Sequence, residues 1–208
     1  MVDSIPPSSA VPQDPEDAAR AGFYGLIGRL FYNAPDPNLI AEICQGAGGG
    51  GEAAAANELV LAWRDLQGAC KSVFPPVVRQ EFDTLFVGVG KAEVTPYLSG
   101  YAREISPDRY LVQLRERLAG WGLARRPQAA EVEDHFSGLC DVMRWLIESG
   151  QSINVQADFY RTFVDRSAIA FFAAVQDSPT AHFYKLVVRL ASAFFEVERA
   201  AFEVAESE

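Results

Sequence analysis

The sequence is poor in the residues that build metal centres and disulfide frameworks. Its 208 residues include only two histidines, His135 and His182, and three cysteines, Cys44, Cys70 and Cys140. The histidines show no metal-ligand spacing, and the cysteines lie far apart with no C-x-x-C pair, which argues against a zinc site or a metalloenzyme. The sequence therefore predicts reduced, partly buried thiols, no bound metal and no cofactor.

Positive charge and long apolar runs are also scarce. The chain has 18 Lys and Arg residues against 28 Asp and Glu residues, which gives a net charge of -10. A nucleic-acid-binding surface relies on clustered cations, so this balance argues against a nucleic-acid partner. No apolar run approaches the roughly 18 residues that a membrane span needs, so we expect no stable membrane insertion.

The N-terminal stretch MVDSIPPSSAVPQD has neither the cationic segment nor the apolar segment of a secretion signal. Its richness in Pro and Ser predicts a disordered leader over residues 1–14 and a cytoplasmic protein. We predict one all-helical domain over residues 15–208.

Apolar residues after the leader recur with the period of an α-helix. In the first helix the repeating positions share one face: Phe23, Leu26, Ile27, Leu30 and Phe31. No segment alternates as a strand of a hairpin would. The sequence therefore predicts an all-α protein of about eight helices, packed as a single bundle or as two lobes.

The boundaries of these helices are indicated by proline, glycine and capping residues. The run Gly48–Gly51 follows no strand and lacks the Lys-Ser/Thr of a P-loop, so it predicts a flexible linker. Asn154 is predicted to cap a helix that extends to about Val175, and Pro179 to open the last helix.

One irregular segment carries many rigid aromatic residues. The stretch EFDTLFVGVGKAEVTPYLSGY, residues 81–101, starts as an amphipathic helix and continues into a loop with Pro96, Tyr97 and Tyr101. These aromatic side chains can pack against neighbouring helices, or they can offer contact area to an apolar peptide. Both interpretations stay open at this point.

Asp134 and His135 open the most clearly amphipathic helix. Asp134 can cap the helix or complement its positive end, or it can belong to a binding site. Adjacent residues on a helix point about 100° apart, which disfavours a base and orienter pair. The sequence shows no nucleophile or oxyanion site nearby, and it predicts a structural role for His182.

Two segments taken together resemble the TorD/DmsD/NarJ family of cytoplasmic chaperones for molybdenum-cofactor oxidoreductases. The pattern is an acidic-aromatic helix, a glycine loop and a Pro-x-x-Ser-x-Tyr box, followed later by a Glu-x-Asp-His segment. The matching residues are Glu81, Phe82, Leu85, Phe86, Gly88, Gly90, Pro96, Ser99 and Tyr101, then Glu131 or Glu133, Asp134, His135, Leu139 and Met143. Where members often carry His-Leu and then Trp, this chain has Thr162, Phe163 and Arg166, which leaves the client open.

The resemblance implies a binding protein without catalytic turnover. Family members bind the twin-arginine signal peptide, or another part, of an apo catalytic subunit and hold it until its molybdopterin cofactor is inserted, which delays export. The resemblance also implies that the Asp-His segment and the aromatic loop lie near a shared groove. A monomer and a homodimer are both compatible with it.

The resemblance also assigns expected roles to single residues. Asp134 is expected to engage a cationic group of the peptide, with His135 forming a hydrogen bond close by. The rest of the expected client-binding set is Tyr97, Tyr101, Phe86, Ser99 and Pro96. Glu81 is expected to support the loop by accepting backbone N–H bonds, and Phe82 and Leu85 are expected to support the structure around it.

Two other functions are compatible with the residues. One is a small α-helical hydrolase or nucleotide-using enzyme acting through Asp134 and His135. The other is a permanent assembly subunit of a redox complex.

Overall fold

The computed structural model describes residues 2–3, 14–46, 57–88, 91–125 and 131–205. Within these residues the chain forms nine α-helices and one pair of two-residue strands, so the expected all-α fold is confirmed. The predicted leader lies outside the described residues except for residues 2–3 and 14, and the Gly48–Gly51 linker lies wholly outside them.

The α-helices are numbered along the chain. In chain order they are α1 (Pro15–Tyr32), α2 (Pro37–Gln45), α3 (Glu58–Cys70), α4 (Pro75–Phe82), α5 (Pro107–Gly120), α6 (Phe136–Glu148), α7 (Ile153–Phe159), α8 (Asp165–Asp177) and α9 (Phe183–Ala205). Two π-helical segments, Asp83–Val87 and Tyr160–Val164, extend α4 and join α7 to α8, and Leu98–Tyr101 forms a 3-10 turn. Strand β1 (Val2–Asp3) pairs antiparallel with β2 (Ala124–Arg125).

These elements form two compact units. Unit 1 comprises Met1–Tyr32, Pro96–Phe171 and Ala201–Glu208, and unit 2 comprises Asn33–Thr95 and Phe172–Ala200. The boundary therefore falls inside the motif-bearing stretch, between Thr95 and Pro96. The division agrees with the two-lobe form of the expected fold, while the domain limits 15–208 stay a prediction.

The core of unit 1 is built on the contact between α1 and α6. Glycine at Gly28 allows this approach, because a Cβ there would lie 3.3 Å from the Cβ of Cys140. Phe31 packs edge-on against Phe136, with ring centroids 5.1 Å apart, and against Phe171 at 5.3 Å. The packing fixes Phe136, the first residue of α6, and thereby the start of the helix that carries the Asp-His segment.

In unit 2 the carboxylate of Glu81 holds the start of α9. Its Oε1 accepts the backbone N–H groups of His182 and Tyr184 at 2.8 Å each, and its Oε2 accepts that of Phe183 at 3.1 Å. These N–H groups have no partner within the helix, since the first turn of any helix leaves its donors unbonded. We expected Glu81 to bond the loop that follows it; its partners instead lie at the start of α9.

An aromatic cluster lies beside this cap in unit 2. Phe86 contacts Phe82 and Tyr184, with ring centroids 5.3 and 5.0 Å apart, and Leu85 is fully buried. The helix pair α2 and α3 is joined in the same unit by the Gln67 side chain, whose Nε2 donates to the carbonyl oxygens of Ile43 and Gly46.

Two predicted helix starts are wrong. The cap of α7 is Ser152, whose hydroxyl accepts the Val155 N–H, so Asn154 lies inside the first turn. The helical stretch predicted to extend to about Val175 reaches Asp177 and includes the π-helical segment Tyr160–Val164. The last helix begins at Phe183 and not at Pro179, because the Ser178 hydroxyl accepts the next N–H groups in a turn and Glu81 bonds those that follow.

The three cysteines are free, as expected, with Cys44 half-buried and Cys70 and Cys140 buried. Burial raises the pKa of the Cys70 thiol to about 12, and nearby Cys44 adds to the effect. None of the described helices is long and apolar enough to cross a membrane.

Candidate functional site

Backbone hydrogen bonds join the two motif segments within unit 1. The Leu98 N–H donates to the Asp134 carbonyl at 2.9 Å, and the Phe136 N–H donates to the Pro96 carbonyl at 2.9 Å. Tyr97 and His135 therefore stand opposite each other in a single antiparallel bridge. Two residues 38 positions apart in the sequence, Tyr97 and His135, are thus paired in one local structure.

Asp134 is buried at this bridge and does not cap the helix. It is only 2% exposed, and its Oδ2 accepts the Ser99 backbone N–H at 3.3 Å. The residue at the helix cap is His135, whose Nδ1 accepts the Ser137 N–H at 3.2 Å. The capping role considered for Asp134 therefore belongs to His135, and the Asp134 carboxylate fixes the 3-10 turn.

His135 is an uncharged imidazole at neutral pH. Burial lowers the pKa of His135 to about 4, although the nearby carboxylates of Glu131 and Asp134 act in the opposite direction. Since Nδ1 accepts a backbone hydrogen bond, we assign the proton to Nε2. The ring can therefore donate one hydrogen bond, from Nε2, to a ligand.

Tyr97 links the loop to the acidic segment through both ends of its side chain. Its ring lies edge-on to the His135 ring, with centroids 5.3 Å apart, and its hydroxyl donates to the Glu131 carboxylate. Burial, the bond to Glu131 and the charge of Asp134 raise the pKa of Tyr97 well above its usual value. The hydroxyl therefore stays a donor at every physiological pH.

The charge around the bridge is negative. Glu131, Glu133 and Asp134 lie within four consecutive residues, and Arg115 neutralises one of them through a 3.0 Å ion pair with Glu133. Such a cluster favours a cationic group over an anionic one.

The remaining expected site residues divide between the two units. Tyr101 ends the 3-10 turn in unit 1, half-buried, with its ring 5.9 Å from that of Phe171, and burial raises its pKa to about 12. Phe86 belongs to unit 2, where it packs on Phe82 and Tyr184. Unit 1 therefore brings together Pro96, Tyr97, Ser99, Tyr101, Asp134 and His135, a set that does not include Phe86.

The geometry does not form a hydrolytic relay. The Ser137 hydroxyl lies 2.7 Å from His135 Nδ1, but Ser137 is 4% exposed and its own N–H occupies the same nitrogen. The Asp134 carboxylate bonds Ser99, so it does not orient the imidazole. Across the described part of the chain, no group of three or more His, Cys, Asp or Glu side chains is placed to hold a metal ion.

Sequence reasoning missed two participants in this region. Ser137 could have been found from the sequence. It lies two positions after the helix cap, in the first turn, where the backbone N–H of a residue is directed at the cap side chain. Arg115 could not be found in this way, since its partner Glu133 is 18 residues away and the pairing depends on where α5 packs.

Comparison with known proteins identifies the family. The family described as nitrate reductase delta subunit matches residues 52–170, a range that includes both motif segments. The chain belongs to this family. Its members are chaperones that act in molybdoenzyme maturation and bind molybdoenzyme catalytic subunits; they are not enzymes. The family match thus confirms the TorD/NarJ-like resemblance and supports the expectation of a protein without catalytic activity.

A relative of unknown function gives a second comparison. An uncharacterised protein of Haemophilus influenzae is 25% identical over 170 residues, which cover 79% of this chain and 84% of that protein. The similarity extends over most of both chains.

Proposed function

We propose that this protein is a cytoplasmic, client-specific chaperone that binds the twin-arginine signal peptide of an apo molybdoenzyme catalytic subunit. Binding would delay export of the subunit and keep it accessible for insertion of the molybdopterin cofactor. The observation that supports this proposal is the bridge between the Pro96–Tyr101 loop and the Asp134–Phe136 segment, which puts tyrosine rings beside carboxylates.

The chemistry of such a site suits a peptide with paired arginines beside an apolar segment. Guanidinium groups bind carboxylates through charge-assisted hydrogen bonds, and apolar side chains pack on aromatic rings. Tyr97 and Tyr101 would supply the ring surfaces, and the Nε2 proton of His135 would bond a peptide carbonyl. Phe86, in unit 2, would support client binding from its own aromatic cluster.

Asp134 and Glu131 differ in burial, and we propose a different role for each carboxylate. Asp134 is 2% exposed, so we propose that it contributes charge and holds Ser99 and the loop in place. Glu131 is half-buried beside Tyr97 and would be the carboxylate nearer to an arginine of the peptide. Pro96, whose carbonyl accepts the Phe136 N–H, keeps the loop in register with α6.

The first experiment is capture of the tagged protein from its native host grown by anaerobic respiration, with mass spectrometry of what it binds. We expect an unprocessed molybdoenzyme catalytic subunit, and its loss with Asp134→Ala or Tyr101→Ala. Tyr32→Ala is a matched control, because Tyr32 is a 41% exposed tyrosine at the end of α1 in the same unit. Recovery of the bare protein would contradict the proposal.

A permanent assembly subunit is the alternative that the family description itself suggests, since it names a subunit of nitrate reductase. Such a subunit would be recovered with the mature, cofactor-loaded enzyme. A chaperone should instead be absent from the mature complex.

A binding measurement then separates the signal peptide from the mature region of the client. We expect the synthetic signal peptide of the captured subunit to bind, and Glu131→Gln to weaken its binding roughly tenfold to 150-fold, the range of one charged hydrogen bond. The same peptide with both arginines replaced by glutamine should lose affinity for the wild-type protein and respond little to Glu131→Gln. No binding of the signal peptide would assign recognition to the mature region.

A further inference from the structure

An apolar tetrapeptide is exposed at the start of α4 in unit 2. The sequence Phe74-Pro75-Pro76-Val77 forms the N-cap and the first three residues of α4, and Phe74 and Val77 are 65% and 55% exposed. Pro76 is exposed and Pro75 is half-buried between them. Phe74 and Val77 are three positions apart, a spacing that puts two side chains on the same side of a helix turn, and we call this exposed apolar tetrapeptide the FPPV patch. The FPPV patch shares no residue with the proposed signal-peptide site in unit 1.

Local structure does not require this exposure. The two prolines start the helix without a side-chain cap, and the next N–H groups, of Val77 and Val78, both donate to the Phe74 carbonyl. The first N–H groups of α4 thus find their acceptor in the backbone, and the exposed Phe74 ring forms none of these hydrogen bonds. An exposed phenylalanine beside exposed proline and valine is typical of an interaction surface.

The exposed charge beside the FPPV patch is opposite in sign to that of the whole protein. The charged residues nearest the patch in the sequence are two exposed cations, Lys71 and Arg79, the buried Glu81 on the start of α9, and the exposed Asp83, four residues after Arg79. Lys71 and Arg79 are exposed, and within the described residues neither forms an ion pair. Asp65 is bound by Arg189. A chain with a net charge of -10 therefore has here an exposed apolar patch with two exposed cations and one exposed carboxylate close to it in the sequence.

We propose that the FPPV patch is a docking surface for a segment of another protein in which apolar side chains stand beside carboxylates. Apolar residues of that segment would cover Phe74 and Val77, and its carboxylates would pair with Lys71 and Arg79. The proposal is independent of the signal-peptide site, which would attract the opposite charge.

Other occupants fit the charges less well. A second copy of the chain across a two-fold axis would face the same patch, and so would bring Lys71 and Arg79 of both copies together. An anionic membrane is recognised by clusters of about four to eight cations, and this patch has two. Pro75 and Pro76 have no N–H group, and those of Val77 and Val78 donate to the Phe74 carbonyl, so anion recognition by the first turn of α4 depends on the two side chains.

Photocrosslinking in the full-length chain tests the proposal. We would place p-benzoylphenylalanine at position 74, irradiate the native host cells and map the crosslinked residues by mass spectrometry. The same probe at Val112, a 51% exposed valine on α5, is the matched control for an exposed apolar position. The expected crosslink at position 74 joins a protein segment with carboxylates within a few residues of the crosslinked site.

Charge reversal gives the second half of the test. The double variant Lys71→Glu, Arg79→Glu should lower the crosslink yield about tenfold, because both attractions become repulsions. The double variant Lys91→Glu, Arg109→Glu changes the net charge equally at two other exposed cations and should leave the yield unchanged. A synthetic peptide of the mapped segment should then bind wild-type protein and bind the Lys71/Arg79 variant about tenfold more weakly.

Any of four outcomes would overturn the proposal: a crosslink to a second copy of this chain, a crosslink to lipid, a crosslinked segment without carboxylates, or no specific crosslink at position 74. Flotation with phosphatidylglycerol vesicles distinguishes the lipid case directly. Loss of the molybdoenzyme subunit in the Asp134→Ala capture, with the position-74 crosslink intact, would show that the two surfaces act separately.

Discussion

Replacing Glu81 by glutamine removes the charge that holds the start of α9 while keeping the size of the side chain. In the wild-type protein the two carboxylate oxygens accept three backbone N–H groups, from His182, Phe183 and Tyr184. In Glu81→Gln one oxygen can still accept, but the amide NH2 is a donor and faces the Phe183 N–H. One helix N–H then loses its acceptor inside a site where Glu81 is 7% exposed.

The expected cost follows from these contacts. An unsatisfied buried donor costs about 1 to 3 kcal/mol, and the lost interaction of a negative charge with a helix N-terminus adds about 0.5 to 2 kcal/mol. These contributions overlap because they involve the same groups, so we expect a loss of about 3 kcal/mol in the free energy of unfolding. For a chain of this size that corresponds to a fall of roughly 6 to 12 °C in Tm.

Urea unfolding followed by circular dichroism measures the free energy, and hydrogen exchange resolves its location. Exchange at Phe183 should speed up most in Glu81→Gln, since this N–H loses its acceptor, and exchange at His182 and Tyr184 should speed up less, since their acceptor oxygen stays but loses its charge. Glu116→Gln, at an exposed carboxylate of α5, is the matched control and should change stability by less than about 0.5 kcal/mol. A loss below about 1 kcal/mol in Glu81→Gln, or unchanged exchange at residues 182–184, would refute the capping role.

Three further outcomes follow from the structure. Gly88→Ala should cost at least about 2 kcal/mol more than Gly150→Ala: both glycines have positive φ, but a Cβ at Gly88 would lie 2.3 Å from the Lys91 carbonyl oxygen and one at Gly150 would meet open space. Gly28→Ala should be at least about 1 kcal/mol less stable than Gly22→Ala, since the latter replaces an uncrowded glycine of the same helix. Equal urea midpoints within either pair would contradict the packing described above. The titration of His135 should make the protein less stable in acid, because its folded pKa of about 4 lies below the unfolded value near 6.5. The free energy of unfolding that the uncharged imidazole contributes is complete above pH 6.5, and up to about 3 kcal/mol of it is lost as the pH falls to 4. His135→Asn keeps a capping oxygen without this titration, so unfolding at pH 7 and pH 4.5 should show a smaller acid loss; an equal loss would exclude His135 as its source.

The type of secondary structure was readable from the sequence because it depends on near neighbours. The repeat of Phe23, Leu26, Ile27, Leu30 and Phe31 reports a buried helical face, whatever that face packs against. Proline after a capping Asp or Ser is likewise a local start signal, and it stands at the starts of α1, α2 and α5. The family resemblance was also carried by local motifs, although their spacing said nothing about contacts.

Local sequence patterns did not predict helix boundaries and irregularities correctly where the hydrogen-bond partner that decides them is far away in the sequence. Pro179 looked like a helix start, but α9 begins at Phe183 because its acceptor, Glu81, lies about a hundred residues earlier. The π-helical segment Tyr160–Val164 has no local marker of this kind. Its Phe163 carbonyl accepts the Tyr110 hydroxyl from α5, a contact that only packing creates.

The candidate site divides in the same way. Its residue types and their order were evident from the sequence, since Tyr97, Ser99, Asp134 and His135 stand in two recognisable motifs. Which of them cap, which bond each other and which are buried was decided by the tertiary structure. Asp134 was a candidate for the helix cap or for a binding site, but it is buried against Ser99, and His135 is the cap. The physical reason is that burial and long-range hydrogen bonds depend on how the packed helices bring distant segments together, and neighbouring residues in the sequence do not specify that.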